Sequence, residues 1–155
     1  MNTRKWSAMM RVAALLLAVL LVLPVGAKAA EETVQPRASD YLDNYNAYVY
    51  SAGWGNMRVY FNVTGTDYLD AIGVLTISVY ESKDNATWTC VKTYNHDQYS
   101  QMMAYNEIYH SGYVEYDGVI GRYYKAYVGI WGGGMEVGDS RYFYTSAKKA
   151  TLFAE

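Results

Sequence analysis

Met57-Arg58-Val59-Tyr60-Phe61-Asn62-Val63-Thr64 alternates without a break. Met57, Val59, Phe61 and Val63 fall on one side of an extended chain, and Arg58, Tyr60, Asn62 and Thr64 on the other. A period of two is that of a strand with one buried and one wet face. The same alternation recurs on both sides of this stretch. Tyr45 to Ser51 separates Ala47 and Val49 from Tyr48 and Tyr50. Gly73 to Tyr80 turns Leu75, Ile77 and Val79 inward. Arg122 to Trp131 sets Tyr124, Ala126, Val128 and Ile130 on one face. Thr87–Tyr94, Gly112–Tyr116 and Arg141–Ala147 read as further strands. Gly53-Trp54-Gly55-Asn56, Ser82-Lys83-Asp84-Asn85, Asp117-Gly118 and Gly132-Gly133-Gly134 are turn sequences between them. Asn95–Ser111 is the longest irregular stretch, with room for a turn of helix at Met102 and Met103. Beyond residue 40 no segment holds a helical period. About seven short strands predict an all-β, single-domain antiparallel sandwich over residues 41–149. Its expected core is Val59, Phe61, Leu75, Ile77, Val79, Ala126 and Val128.

The front of the chain has a different character. Arg4, Lys5 and Arg11 precede an uncharged apolar run, Val12 to Gly26, and Ala27-Lys28-Ala29 is a small-x-small cleavage pattern. Residues 1–29 therefore read as a cleavable signal helix of bacterial type, cut before Ala30. The apolar run is shorter than the roughly 20 residues a spanning helix needs. Cys90, the one cysteine, lies far from the cut, so no lipoprotein acceptor is present and no stable membrane anchor is expected after cleavage. Residues 30–40 are polar and read as a flexible leader, and 150–155 as a C-terminal tail. The expected destination is extracellular, free or wall-associated.

Four of the thirteen basic residues lie in the first 29 and none of the fifteen acids does. The rest of the chain then has nine basic residues against fifteen acidic, a net charge of −6. That excludes a phosphate-backbone interface, so no nucleic-acid partner is expected. All 18 tyrosines lie beyond residue 29. Tyrosine suits pleated, half-buried surfaces and keeps a hydroxyl that needs a partner.

Gly121-Arg122-Tyr123-Tyr124-Lys125-Ala126-Tyr127-Val128 resembles strand F of immunoglobulin-like and fibronectin type III-like domains. The resemblance implies that Tyr124 is a corner tyrosine whose hydroxyl bonds upstream backbone. Val79-Tyr80-Glu81-Ser82 through Asn85-Ala86-Thr87-Trp88-Thr89 is similar to the C–C′ hairpin of fibronectin-like domains. No disulfide is possible here, and the tryptophan falls on the second hairpin strand. With Ile72-Gly73, these residues also resemble a family of small secreted Gram-positive bacterial proteins. That family is a domain of unknown function and implies no activity.

Candidate chemistry is thin. Cys90 with His96 or His110 would be a nucleophile and base, but no glycine elbow or helix N-terminus accompanies Cys90. A lone mid-strand cysteine reads better as a small buried apolar residue. His96-Asp97 and His110 lack a ligand spacing and read as surface histidines, so no metal site is expected. Asp67-Tyr68-Leu69-Asp70 and Asp40-Tyr41-Leu42-Asp43 lack the ligand pattern of a calcium loop. No pair of acids stands out for glycoside hydrolysis. Asn62-Val63-Thr64 and Asn85-Ala86-Thr87 match the glycan-acceptor pattern by chance in a bacterial chain. No cofactor motif is read.

The aromatic residues carry the functional reading. Strand parity turns Tyr123, Tyr127 and Trp131 outward, and Tyr80 outward on the neighbouring strand. Such a row either clads the sheet through cross-strand contacts or offers a stacking platform. The expected function is a non-catalytic binding module at the cell envelope, for glycan, wall polymer or a surface protein. The alternative is a small secreted hydrolase, which would gather Cys90 or several acids with a histidine in one cavity. A ligand site is expected at the end of the sandwich holding Asp67, Tyr68 and Asp70, with Trp131 at its rim, or on the adjoining outer face.

Overall fold

The computed structural model describes residues 39–134 and 136–155. The signal peptide read over 1–29, and the leader up to residue 38, lie outside the described residues. Among the described residues nine strands run in chain order: β1 (Leu42–Gly53), β2 (Asn56–Leu69), β3 (Ala71–Ser82), β4 (Thr89–Asn95), β5 (Met103–Ala104), β6 (Glu107–Asp117), β7 (Tyr123–Gly133), β8 (Gly138–Tyr144) and β9 (Lys148–Lys149). One antiparallel sheet has the order β1-β2-β6. The other has the order β4-β3-β7-β8, with β5 paired to β3 and β9 to β7. The fold is an all-β sandwich.

Alternation fixes which face goes inward. Met57, Val59, Phe61 and Val63 on β2 are fully buried, as are Ala126, Val128 and Ile130 on β7. They close on Ile72, Val74, Ile77 and Val79 of β3. Burying a side chain of this size stabilises by about 1.5–3 kcal/mol.

Leu75 departs from the expected core and is only partly buried. The β3–β7 register shifts between Val74 and Thr76, so Leu75 is the extra residue of a β-bulge. The bulge resets parity: Val74 and Ile72 take the inward places before it, and Ile77 and Val79 after it. The stretch after Asn95 is also more regular than the sequence suggests. A 3-10 turn over Ser100–Met102 leads into β5, and β6 extends back to Glu107. Met102 is fully buried. A Cβ at Gly73 would sit 2.2 Å from its carbonyl oxygen, so glycine lets this turn close on β3.

Residues 150–155 are an integral part of the fold. Ala150 is buried, and Thr151 and Leu152 carbonyls accept from Gly55 (3.1 Å) and Trp54 (2.9 Å) N–H groups. Ala52 and Ala154 form an antiparallel bridge. The segment straps the β1–β2 turn.

At the same end, Tyr124 is fully buried and its ring lies 5.7 Å from Tyr116. Its hydroxyl accepts from the Val119 N–H at 2.8 Å, the upstream backbone bond expected of a corner tyrosine. The hydroxyl donates to Glu81, which also pairs with Arg122. Burial works to raise the Glu81 carboxyl, but the Tyr124 and Arg122 bonds outweigh it and hold the group below its ordinary range.

Candidate binding face

The outward residues of β7 are Tyr123, Lys125, Tyr127, Gly129 and Trp131. Tyr127 pairs with Tyr144 of β8, and Gly129 with Tyr142. Tyr80 of β3 lies opposite Lys125 on one side and Cys90 of β4 on the other. These pairings build one connected aromatic surface on the larger, six-stranded sheet. The Tyr127 ring stacks on Tyr142 at 6.0 Å with 24° between planes, and meets Tyr144 at 4.7 Å. Tyr80 approaches Tyr144 edge-on at 5.7 Å. The Lys125 ammonium sits 4.4 Å from the Trp88 ring centre and 4.6 Å from that of Tyr144, a double cation–π contact.

Two rings on this face lie over glycines. A Cβ at Gly129 would come within 2.5 Å of Tyr142, and one at Gly138 within 2.6 Å of Trp131. The missing side chains let each ring settle against backbone. Tyr142 and Tyr144 nevertheless stay 50% and 53% exposed.

Of the residues singled out from sequence, Tyr80 and Tyr127 belong to this surface, and Trp131 continues it toward the far end of β7. Tyr123 sits at the near end, with the Lys149 ammonium 5.5 Å from its ring centre. Asp67 and Tyr68 instead lie in the irregular last stretch of β2, and Asp70 in the one-residue turn to β3. Asp67 accepts from the Tyr68 N–H at 2.7 Å, and Tyr68 projects into solvent. Among the described residues, no hydrogen bond or ring contact ties these three to Trp131 or Tyr127. A polar strand end that closes on its own backbone has nothing to pull it over the sheet face.

Sequence reasoning missed Tyr142, Tyr144, Trp88 and Lys125. The alternation Tyr142-Phe143-Tyr144 was the available signal. Phe143 packs on the core and approaches Tyr45 at 5.8 Å, which turns both tyrosines outward.

The second sheet is also tyrosine-clad. Tyr48, Tyr60 and Tyr113 stand in register across β1, β2 and β6. Tyr48 and Tyr60 are 5.1 Å apart, and the Arg58 guanidinium covers Tyr113 at 4.8 Å while bonding Glu115. Tyrosine cladding is thus common to both faces. Tryptophan, the Lys125 ammonium held between Trp88 and Tyr144, and the rings laid over glycine distinguish the six-stranded one.

Cys90 is exposed, against the expectation of burial. β4 is the sheet's edge strand and pairs only with β3, so nothing covers the outward side of Cys90. Its sulfur makes only long contacts, to Thr93 Oγ1 at 3.8 Å and the Lys92 carbonyl at 3.9 Å. His96 faces Asp97 at 3.5 Å, while His110 Nε2 bonds the Gln101 carbonyl at 2.9 Å. Among the described residues, no three His, Cys, Asp or Glu side chains are grouped to hold a metal ion.

No family model matches the chain, and no curated protein matches it. Among solved structures it is similar to a family 76 glycoside hydrolase from a bovine Bacteroides thetaiotaomicron strain. The identity is 18%, the coverage 69% of this chain and 20% of that one, and the TM-score 0.32. The chain spans about a fifth of that protein's length, and a likeness this weak decides nothing about activity.

Proposed function

We propose that the chain is a secreted, non-catalytic binding module of the cell envelope that takes glycan or wall polymer on the outer face of β4-β3-β7-β8. The observation that carries this reading is Tyr142. Its ring is stacked on Tyr127, seated over Gly129 and half open to solvent. A preset aromatic plane offers apolar area at little entropic cost, and the apolar face of a sugar ring can lie on it. Lys125 and the tyrosine hydroxyls supply polar partners for sugar hydroxyls. The signal-like residues 1–29 support export. The alternative is a small secreted hydrolase, which would need Cys90 or paired acids beside a histidine.

The strand order supports an immunoglobulin-like domain of the fibronectin type III kind. Lettered along the chain, β1, β2 and β6 occupy A, B and E, and β4, β3, β7 and β8 occupy C′, C, F and G. The likeness to small secreted Gram-positive proteins remains part of this reading.

The test is retention of residues 30–155 on purified cell walls and on a glycan array. Tyr127→Ala should weaken binding about tenfold, as the loss of one stacked ring implies. Tyr60→Ala on the opposite sheet should bind as before. Equal loss in both variants, or no wall or glycan bound at all, overturns the proposal.

A further inference from the structure

Charge is laid out unevenly over the sandwich. Beyond residue 29 the chain has fifteen acidic residues against nine basic, yet none of the acids stands on the outer face of the six-stranded sheet. The strands of that sheet hold two, Glu81 and Asp139. These pair with Tyr124 and Gly132, both of inward parity. Glu81 is bound to Arg122 and Tyr124, and Asp139 to Ser39. Asp84, on the turn after β3, accepts from the Ser82 hydroxyl and from the Ala86 and Thr87 N–H groups at 2.8 to 2.9 Å. All three carboxylates are thus engaged within the fold.

The lysines are placed differently. Lys125 stands on the outer face, only partly exposed, with its ammonium held between Trp88 and Tyr144 at 4.4 and 4.6 Å. Lys149 pairs with Tyr123 and keeps its ammonium 5.5 Å from that ring. The two lysines are diagonal neighbours across β7 and β9, about 7–8 Å apart on one face. Among the described residues neither pairs with a carboxylate.

The opposite sheet shows the self-contained version of this arrangement. Arg58 also covers a tyrosine, Tyr113, but its guanidinium lies 2.6 Å from Glu115. There the cation, the ring and the counter-ion all come from the protein. On the six-stranded sheet the protein supplies the cations and the rings, and no counter-ion. A ring face offsets part of the hydration an ammonium loses, but it leaves the charge in place. The same contacts fix where that charge sits. Tyr144 touches both the Lys125 ammonium and Tyr127, whose ring stacks on Tyr142. An anion on a sugar lying on that stack meets a cation already positioned, with no carboxylate on the face to repel it.

We infer that the glycan taken by this face is anionic: its carboxylate or phosphate groups meet Lys125 and Lys149 while its sugar rings lie on Tyr127 and Tyr142. The inference rests on the glycan-binding reading above and narrows it to acidic chains.

The test is retention of residues 30–155, which contain all of the described fold, on purified cell walls in three forms. One is untreated, one is stripped of phosphodiester polymers with hydrofluoric acid, and one has its carboxyl groups amidated. Retention should fall about tenfold on one of the treated walls, and which one identifies the anion as phosphate or carboxylate. On untreated walls, Lys125→Gln with Lys149→Gln should bind about tenfold more weakly and lose most of the dependence on salt. Lys125→Arg with Lys149→Arg keeps both charges and should retain most of the binding. Tyr127→Ala, weakened by the loss of its ring, should keep the salt dependence of the unaltered protein. Lys92→Gln, of the opposite parity on β4, should bind as before. Undiminished retention on both treated walls, with Tyr127→Ala still weakened, overturns the inference and leaves the glycan reading standing. So does a loss in the double arginine variant equal to that of the double glutamine variant. Failure to bind any of the three walls overturns both.

Discussion

The Val119 N–H donates to the Tyr124 hydroxyl at 2.8 Å across the β6–β7 connection, and that hydroxyl in turn donates to Glu81. One phenol thereby ties a loop to the carboxylate of a neighbouring strand. A Cβ at Gly118 would lie 2.9 Å from the Tyr124 ring, so the loop passes there only because residue 118 has no side chain. Tyr124→Phe keeps the packing and strips both bonds, leaving the Val119 N–H without its acceptor and Glu81 with Arg122 alone. The expected loss is about 1–3 kcal/mol. Chemical denaturation checks it, and an unchanged midpoint with an unchanged slope would contradict the assignment.

The same cluster sets an acid limb. Tyr124 and Arg122 hold the Glu81 carboxyl below its ordinary 4.5 despite its partial burial. A carboxyl lowered in the folded state contributes its full stability above that pH and loses it as the pH falls through the folded value. The melting temperature should therefore decline below about pH 4.5, less steeply in Glu81→Gln. Tyr124 and Tyr94 act in the opposite direction. Burial raises both, and Tyr94 is pushed up to about 12. Both contributions are complete below pH 10, and that of Tyr94 is lost as the pH rises through about 12. Melting curves across pH give both limbs.

The bulge at Leu75 separates two neighbouring aliphatic residues. Ile77→Ala opens a cavity in a fully buried site and should cost about 2–5 kcal/mol. Leu75→Ala should cost well under half of that, because Leu75 is only partly buried. Equal losses would show Leu75 to be a core residue and the bulge misplaced.

These residues also show what the sequence reveals and what it conceals. Met57–Thr64 and Arg122–Trp131 have an uninterrupted period of two, and their faces are legible without a structure. Leu75 is not legible, because a bulge is a property of the β3–β7 pair and neither strand encodes it alone. The 150–155 strap is hidden for a similar reason: its bonds go to backbone about a hundred residues away. The outward orientation of Tyr80, Tyr127 and Trp131 follows from parity. Their company does not, since Tyr142 and Tyr144 reach Tyr127 only through the β7–β8 register, and Trp88 reaches Tyr144 only through Lys125. Asp67, Tyr68 and Asp70 illustrate the converse: sharing an end of the fold did not bring them to the aromatic face.

The binding face is tested most directly by titrating labelled protein with soluble wall-glycan fragments and mapping the perturbed resonances. The account predicts changes concentrated at Tyr80, Lys125, Tyr127, Tyr142 and Tyr144, with Trp88 responding through Lys125. Changes confined to Tyr48, Tyr60 and Tyr113 on the opposite sheet, or to the end of β2 and the turn after it at Asp67–Asp70, would contradict it.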